Sequence, residues 1–144
     1  MGLTYVTVSL RATQKSRKAF EATFLVDTGS VDCLVPAKAL ERAGIRRAGR
    51  RTYELADGSP VEFDFGLAVI EFMGEVTAGR VIFGPEKCEP LLGVTALESA
   101  GITVDPATQR LKRLPAIPLK NARRVPTWGR DLTRVNSHSP APAE

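Results

Sequence analysis

A seven-residue segment occurs twice in this chain, and the repeat restricts the folds that the chain can adopt. Residues 39–45 read Ala-Leu-Glu-Arg-Ala-Gly-Ile, residues 96–102 read Ala-Leu-Glu-Ser-Ala-Gly-Ile, and the two agree at six of seven positions. Each copy is typical of a short helix that ends at its glycine, Gly44 or Gly101. An apolar pair and a glycine turn lie upstream of each copy. One interpretation is an internal pseudo-twofold of strand, glycine turn and helix; the other is that two common helix endings occur independently.

The apolar residues outside these helices follow the pattern of β-strands. We therefore expect an all-β fold with two short helices, and a last possible strand covers residues 110–119. Alternation with period two, or a short apolar run, predicts the other strands at residues 5–10, 20–26, 31–35, 67–72 and 76–83.

Asp57-Gly58 is the strongest short hairpin signal in the chain, and residues 52–65 alternate on both sides of it. Proline lacks the N–H group that a central strand must donate. Pro60 therefore places this hairpin at an edge of the sheet or projecting from it.

Three connecting segments have patterns of their own. Residues 46–51 are rich in arginine and are predicted to form a basic loop, and residues 91–93 are predicted to form an apolar turn. Residues 95–98, Thr-Ala-Leu-Glu, have the spacing of a capping box at the start of the second helix.

The length of 144 residues predicts one domain, and the charges divide it unevenly. Residues 1–109 carry 12 basic and 14 acidic side chains, whereas residues 110–144 carry 8 basic and 2 acidic ones. We expect a folded domain over residues 1–119 and a basic, proline- and serine-containing tail over residues 120–144. No apolar run reaches the roughly 20 residues of a membrane span, and no signal peptide is visible, so a cytoplasmic location is expected.

The residue inventory excludes several kinds of chemistry. Cys33 and Cys88 have no partner in a Cys-x-x-Cys pair, and the one histidine, His138, lies in the tail. A zinc site needs three or four ligands, and serine or cysteine mechanisms need a positioned histidine. We expect no metal and no cofactor, and any catalysis depends on carboxylates.

One motif can supply such a carboxylate. An apolar strand that ends in Leu25-Val26 leads directly into Asp27-Thr28-Gly29-Ser30. Gly29 lets the backbone turn so that amides face the Asp27 carboxylate, while Thr28 and Ser30 offer hydroxyl donors. An aspartate that only shapes its own turn is the alternative interpretation of Asp27.

The order of these features resembles the retropepsin-like aspartic proteases over roughly residues 3–118. The resemblance implies a barrel with a flap hairpin over the substrate and an apolar cleft lined by residues such as Leu55, Val61 and Phe63. It implies these site residues: the catalytic Asp27; the turn residues Thr28, Gly29 and Ser30; the flap residues Leu55, Ala56, Asp57, Gly58 and Ser59; and the supporting-turn residues Leu91, Leu92 and Gly93.

The chain contains one Asp-Thr-Gly triplet, whereas this chemistry needs two carboxyl groups that share a proton. The second carboxyl group then comes from a second copy. A homodimer with twofold symmetry places Asp27 of both subunits on the axis, and by resemblance Thr28 bonds across it. The predicted function is an endopeptidase that acts on extended apolar peptides.

The sequence departs from the retroviral pattern at two linked positions. An aspartate and an arginine that pair in retroviral enzymes are replaced here by Val31 and Val94, which are expected to pack together instead. Asp32 is the nearest other carboxylate. The alternative function is therefore a dimerising or peptide-binding module on the same fold that does not catalyse.

A second rival is a small barrel that binds nucleic acid through its basic tail. Only Trp128 in that tail can stack on bases, and no nucleic-acid fold signature is present. A nucleic-acid partner is therefore not expected.

Overall fold

The computed structural model describes residues 2–119, so the predicted tail lies outside the described residues. In this part of the chain nine strands and two short helices follow one another. They are β1 (Tyr5–Arg11), β2 (Phe20–Asp27), β3 (Cys33–Pro36), α1 (Ala37–Arg42), β4 (Arg47–Glu54), β5 (Pro60–Phe72), β6 (Glu75–Gly84), β7 (Leu91–Gly93), α2 (Val94–Ser99), β8 (Ile102–Asp105) and β9 (Arg110–Arg113).

Six of the strands close into a barrel. Their order is β1-β2-β7-β3-β6-β5, and the ring closes because β5 also pairs with β1, with Leu10 opposite Ile70. β4 continues the sheet beyond β5, and β8 and β9 form a separate two-stranded sheet. The expected all-β barrel with two short helices is confirmed.

The core follows from the alternation of the strands. Side chains that point inward, such as Val8, Leu10, Phe24 and Ile70, are fully buried, since successive residues of a strand face opposite sides of the sheet. α1 and α2 add Leu40 and Leu97 to the same apolar cluster.

The two helices are related in a way that supports the internal pseudo-twofold. Each follows a short strand directly, α1 after β3 and α2 after β7, and the two strands pair antiparallel. Gly44 and Gly101, which follow the helices, have φ of +79° and +72°, a left-handed conformation that favours glycine.

The predicted basic loop at residues 46–51 is wrong, because this segment belongs to β4. Arg47 and Arg50 extend from β4 to the carboxylate of Asp64 on β5, and their charges are compensated there while the strand remains exposed. β5 also runs without interruption through Gly66, so the second half of the predicted hairpin and the predicted strand at residues 67–72 form one long strand. β4 pairs only with β5 among the described strands, and the hairpin of Pro60 is an edge hairpin, as expected.

Two predictions near the second helix also need correction, and one strand there was missed. Residues 91–93 form β7 rather than a turn, because they pair with both β2 and β3. The predicted last strand ends at Arg113, and its partner β8 was not predicted, although its four residues alternate between apolar and polar side chains. In residues 2–119, neither helix has the length and apolar character needed to cross a lipid bilayer.

Truncating the repeated leucines tests the equivalence of the two helices. Leu40→Ala and Leu97→Ala each remove a side chain that is at most 2% exposed, and each is expected to lower the free energy of unfolding by about 2–5 kcal/mol. Leu67→Ala is the control, since Leu67 is 59% exposed and its loss is expected to cost less than about 0.5 kcal/mol. Urea denaturation measures all three. A small loss at either buried leucine contradicts a shared core.

Candidate active site

Asp27 lies at the end of β2, where the chain turns. The backbone N–H of Gly29 donates to its Oδ1 at 3.0 Å, and the Ser30 hydroxyl donates to its Oδ2 at 2.9 Å. A Cβ atom on residue 29 would lie 3.3 Å from Oδ1, so glycine allows this close approach. Both carboxylate oxygens are thus oriented by the turn, while Asp27 remains partly exposed and Thr28 is exposed.

β7 holds this turn from the neighbouring position in the barrel. It pairs parallel with β2, which puts Leu92 beside Val26 and Gly93 beside Asp27. A Cβ atom on residue 93 would lie 2.6 Å from the carbonyl oxygen of Asp32 and 2.7 Å from that of Val31. Only glycine allows the two backbones to approach so closely.

The loop that follows Asp27 also caps α2. The N–H groups of Val94 and Thr95 donate to the carbonyl oxygens of Ser30 and Val31, at 2.7 and 3.2 Å. The first N–H groups of a helix need partners from outside the helix, and here the backbone of the loop supplies them. The predicted capping box is therefore wrong: the N-cap of α2 is Gly93, and no side chain caps it.

Val31, which was expected to pack with Val94, is 59% exposed, so the two valines do not form a fully buried pair. The loop and the helix are joined at this point by the backbone hydrogen bond from Thr95. Val31 instead presents an apolar surface four residues after Asp27.

Asp32 is the buried carboxylate of the site. Its side chain is 5% exposed, and its Oδ2 accepts a hydrogen bond from the Tyr53 hydroxyl at 2.8 Å and one from Arg80 Nε at 3.3 Å. Burial, and then the hydrogen bond to Asp32, raise the pKa of Tyr53 to about 12, so its hydroxyl stays protonated. The sequence contained no local signal for this cluster, because its members come from three separate segments.

The predicted flap is the β4–β5 hairpin. At its tip the N–H of Gly58 donates to the carbonyl of Leu55 at 2.8 Å, and Gly58 has φ of +86°. Asp57 accepts hydrogen bonds from the N–H and the hydroxyl of Ser59, which lower the pKa of Asp57. Asp57 therefore shapes the turn, and the exposed Leu55 beside it is the apolar side chain available at the tip.

The cysteines offer no alternative chemistry at this site. Both are free thiols, and burial raises the pKa of Cys33 to about 11, which keeps it neutral and unreactive near neutral pH. Among residues 2–119 no group of three histidine, cysteine or acidic residues is arranged to hold a metal ion.

Comparison with known proteins yields no matching family model and no matching curated protein. Solved structures do match. The retroviral protease-like domain of Ddi1 from Leishmania major superposes with a TM-score of 0.51 and 15% identity, over 85% of this chain and 99% of that one. EIAV protease in complex with an inhibitor superposes with a TM-score of 0.50 and 19% identity, over 67% and 86%.

The chain has a retropepsin-like fold. The predicted site residues form two groups in this fold. The turn of Asp27, Gly29 and Ser30 lies directly against β7, and the tip residues 55–59 form the end of the β4–β5 hairpin. Asp32, Tyr53 and Arg80 connect the loop after Asp27 to that hairpin and to β6.

Adding one methyl group at Gly93 tests how closely β7 holds the loop. Gly93→Ala is expected to lower the free energy of unfolding by about 1–3 kcal/mol, because the new Cβ would overlap the backbone of Asp32 and Val31. Amide chemical shifts of residues 29–32 should move as the loop shifts. Gly79→Ala is the control, as its Cβ would lie at an ordinary 3.8 Å from Ile70 Cδ1. Equal behaviour of the two variants contradicts the close approach.

Proposed function

We propose that this protein is an aspartic endopeptidase that acts as a homodimer, with Asp27 of each subunit as the catalytic residue. The observation that carries the proposal is the partly exposed Asp27 carboxylate at the end of β2, oriented at both oxygens by Gly29 and Ser30. The retropepsin-like fold supports it, because EIAV protease has the same fold.

The need for a second subunit follows from the other aspartates of residues 2–119. Each is held elsewhere: Asp32 by Tyr53 and Arg80, Asp57 by Ser59, Asp64 by Arg47 and Arg50, and Asp105 by the N–H of Ala107. Water activation together with protonation of a carbonyl oxygen needs two carboxyl groups about 3 Å apart. A second copy of Asp27 across a twofold axis is the source that leaves these other contacts intact.

In the proposed mechanism the paired carboxyl groups share one proton. The ionised Asp27 accepts a proton from a bound water as the water oxygen attacks the peptide carbonyl carbon, and the protonated Asp27 gives its proton to the carbonyl oxygen. The resulting tetrahedral intermediate carries two hydroxyl groups and no net charge. The Asp27 that holds the water's proton then gives it to the nitrogen, while the other Asp27 takes a proton from one hydroxyl group of the intermediate. The C–N bond breaks to release an amine and a carboxylic acid, and the pair still holds one proton.

The substrate class follows from the side chains of the hairpin. Val61 and Phe63 are half-buried on β5, Phe63 packs against Tyr53 with 6.3 Å between ring centroids, and Leu55 is exposed at the tip. We propose that this hairpin closes over an extended peptide with apolar side chains and excludes water from the reacting carbonyl.

Replacing the catalytic carboxyl group tests the mechanism. Asp27→Asn is expected to reduce cleavage of an apolar peptide on the order of 10³-fold or more, because an amide cannot accept the proton of water. Asp105→Asn is the matched control, since Asp105 also accepts a hydrogen bond from its own turn. This substitution is expected to leave cleavage unchanged. Undiminished proteolysis by the Asp27→Asn variant rejects the mechanism.

Mixing subunits tests whether the site is shared. When Asp27→Asn protein is added in about tenfold excess and subunits exchange freely, about one-tenth of the wild-type subunits remain paired with each other, so activity falls to about one-tenth. Sedimentation velocity at the assay concentration reports the dimer directly. A constant activity in this titration, or a monomeric active species, contradicts the shared site.

A non-catalytic dimerising or peptide-binding module is the second candidate. One observation favours it: both hydrogen bonds to Asp27 come from its own turn, as they do at Asp57. For such a module, the wild-type protein would bind apolar peptides without cleaving them, and Asp27→Asn would leave that binding unchanged.

A further inference from the structure

Asp32 joins three parts of the structure through one carboxylate oxygen. It lies in the loop that begins at Asp27, Tyr53 is on the β4 arm of the β4–β5 hairpin, and Arg80 is on β6. Among residues 2–119 Asp32 is the one charged residue that is buried. A buried carboxylate needs an opposite charge and hydrogen-bond donors, and here Arg80 supplies the charge while Tyr53 and Arg80 both donate to Oδ2.

The backbone alone constrains the position of β4 weakly. Among the described strands β4 is hydrogen-bonded only to β5, so no further strand keeps the end of this hairpin closed and near the loop. Tyr53 lies one residue before Glu54, the last residue of β4 that pairs with β5 before the tip. Its contact with Asp32 is thus made at the base of the tip, where a small displacement moves residues 55–59 most.

We propose that Asp32 and Tyr53 are positioning residues that hold the hairpin tip in its binding-competent place relative to Asp27. The proposal rests on the proposed function of the site. Asp27 and Asp32 belong to the same loop. A hairpin that is attached to Asp32 is therefore held at a fixed position relative to the catalytic turn. Arg80 compensates the negative charge of the Asp32 carboxylate. Its guanidinium also lies 5.6 Å from the ring centroid of Phe65, which is on β5, the arm of the hairpin opposite Tyr53.

The chemistry of the contact suits a permanent attachment rather than a switch. The raised pKa of Tyr53 keeps the hydroxyl protonated, and it therefore remains a donor throughout the pH range in which proteins are ordinarily assayed. The ring of Tyr53 also packs against Phe63 on the same face of the hairpin. Removing the hydroxyl alone leaves that packing in place.

Tyr53→Phe separates positioning from folding. Without the hydrogen bond the tip spends less time in its competent place, so amide hydrogen exchange at residues 55–59 is expected to accelerate about three- to tenfold. KM is expected to rise by a similar factor, because apparent affinity falls with the competent fraction. kcat is expected to stay within about twofold, since the bonds from Gly29 and Ser30 to Asp27 are untouched.

Two further variants complete the experiment. Tyr5→Phe is the matched control, as it deletes the same atom from the other tyrosine of residues 2–119. Exchange at residues 55–59 is expected to stay unchanged in this variant. Asp32→Asn keeps an acceptor oxygen for Tyr53 but removes the charge that Arg80 compensates. Its exchange rates are expected to lie between those of the wild type and of Tyr53→Phe.

Hydrogen exchange decides the proposal independently of catalysis. Exchange at residues 55–59 that is unchanged in Tyr53→Phe overturns the positioning role, whatever happens to the melting temperature. A loss of kcat with unchanged KM also overturns it. If exchange is accelerated in Tyr53→Phe but the wild-type protein cleaves no peptide, the attachment of the hairpin to Asp32 is supported and the endopeptidase function is rejected.

Discussion

The parallel pairing of β2 with β7 is the contact on which the rest of the site depends. It places Gly93 beside Asp27, and the absence of a side chain at Gly93 lets the loop after Asp27 lie 2.6–2.7 Å from where a Cβ would stand. The loop can then give two carbonyl oxygens to the start of α2. The turn at Asp27 is thus held by three features: the pairing of β2 with β7, the glycine at position 93 and the cap of α2. Together they fix the direction of the Asp27 carboxylate.

The internal repeat explains how a short chain builds this arrangement. β3 with α1 and β7 with α2 are similar units whose strands pair antiparallel within the barrel, and each unit contributes a buried leucine to one core. The first unit follows the turn that begins at Asp27. The second unit contains Gly93, the last residue of β7, which lies beside Asp27 and supports that turn from the side. The described part of one chain therefore carries one such acidic turn and one supporting strand, and the paired carboxyl groups of the proposed mechanism need a second copy.

Local patterns in the sequence predicted the parts of the structure that depend on local physics. Alternation located β1 and β2, Asp57-Gly58 located the hairpin, and the glycine endings located both helices. The error at β4 arose because its arginines, which are typical of a loop, pair with Asp64 on the adjacent strand. The errors at β7 and at the start of α2 have another cause: each segment takes its form from a partner far along the chain. The Asp32 cluster was beyond sequence reasoning for the same reason, since Tyr53 and Arg80 lie 21 and 48 residues away.

The two acidic residues of the loop show how burial assigns different tasks to the same functional group. Asp32 is buried, and Tyr53 and Arg80 both donate to one of its oxygens. Its carboxylate therefore binds the hairpin and β6 and is not accessible to a substrate. Asp27 lies five residues earlier with partial exposure and donors only from its own turn, which leaves it free to face a second carboxylate. The fold separates a buried carboxylate from a partly exposed one by turning successive parts of one loop toward the core and toward the surface.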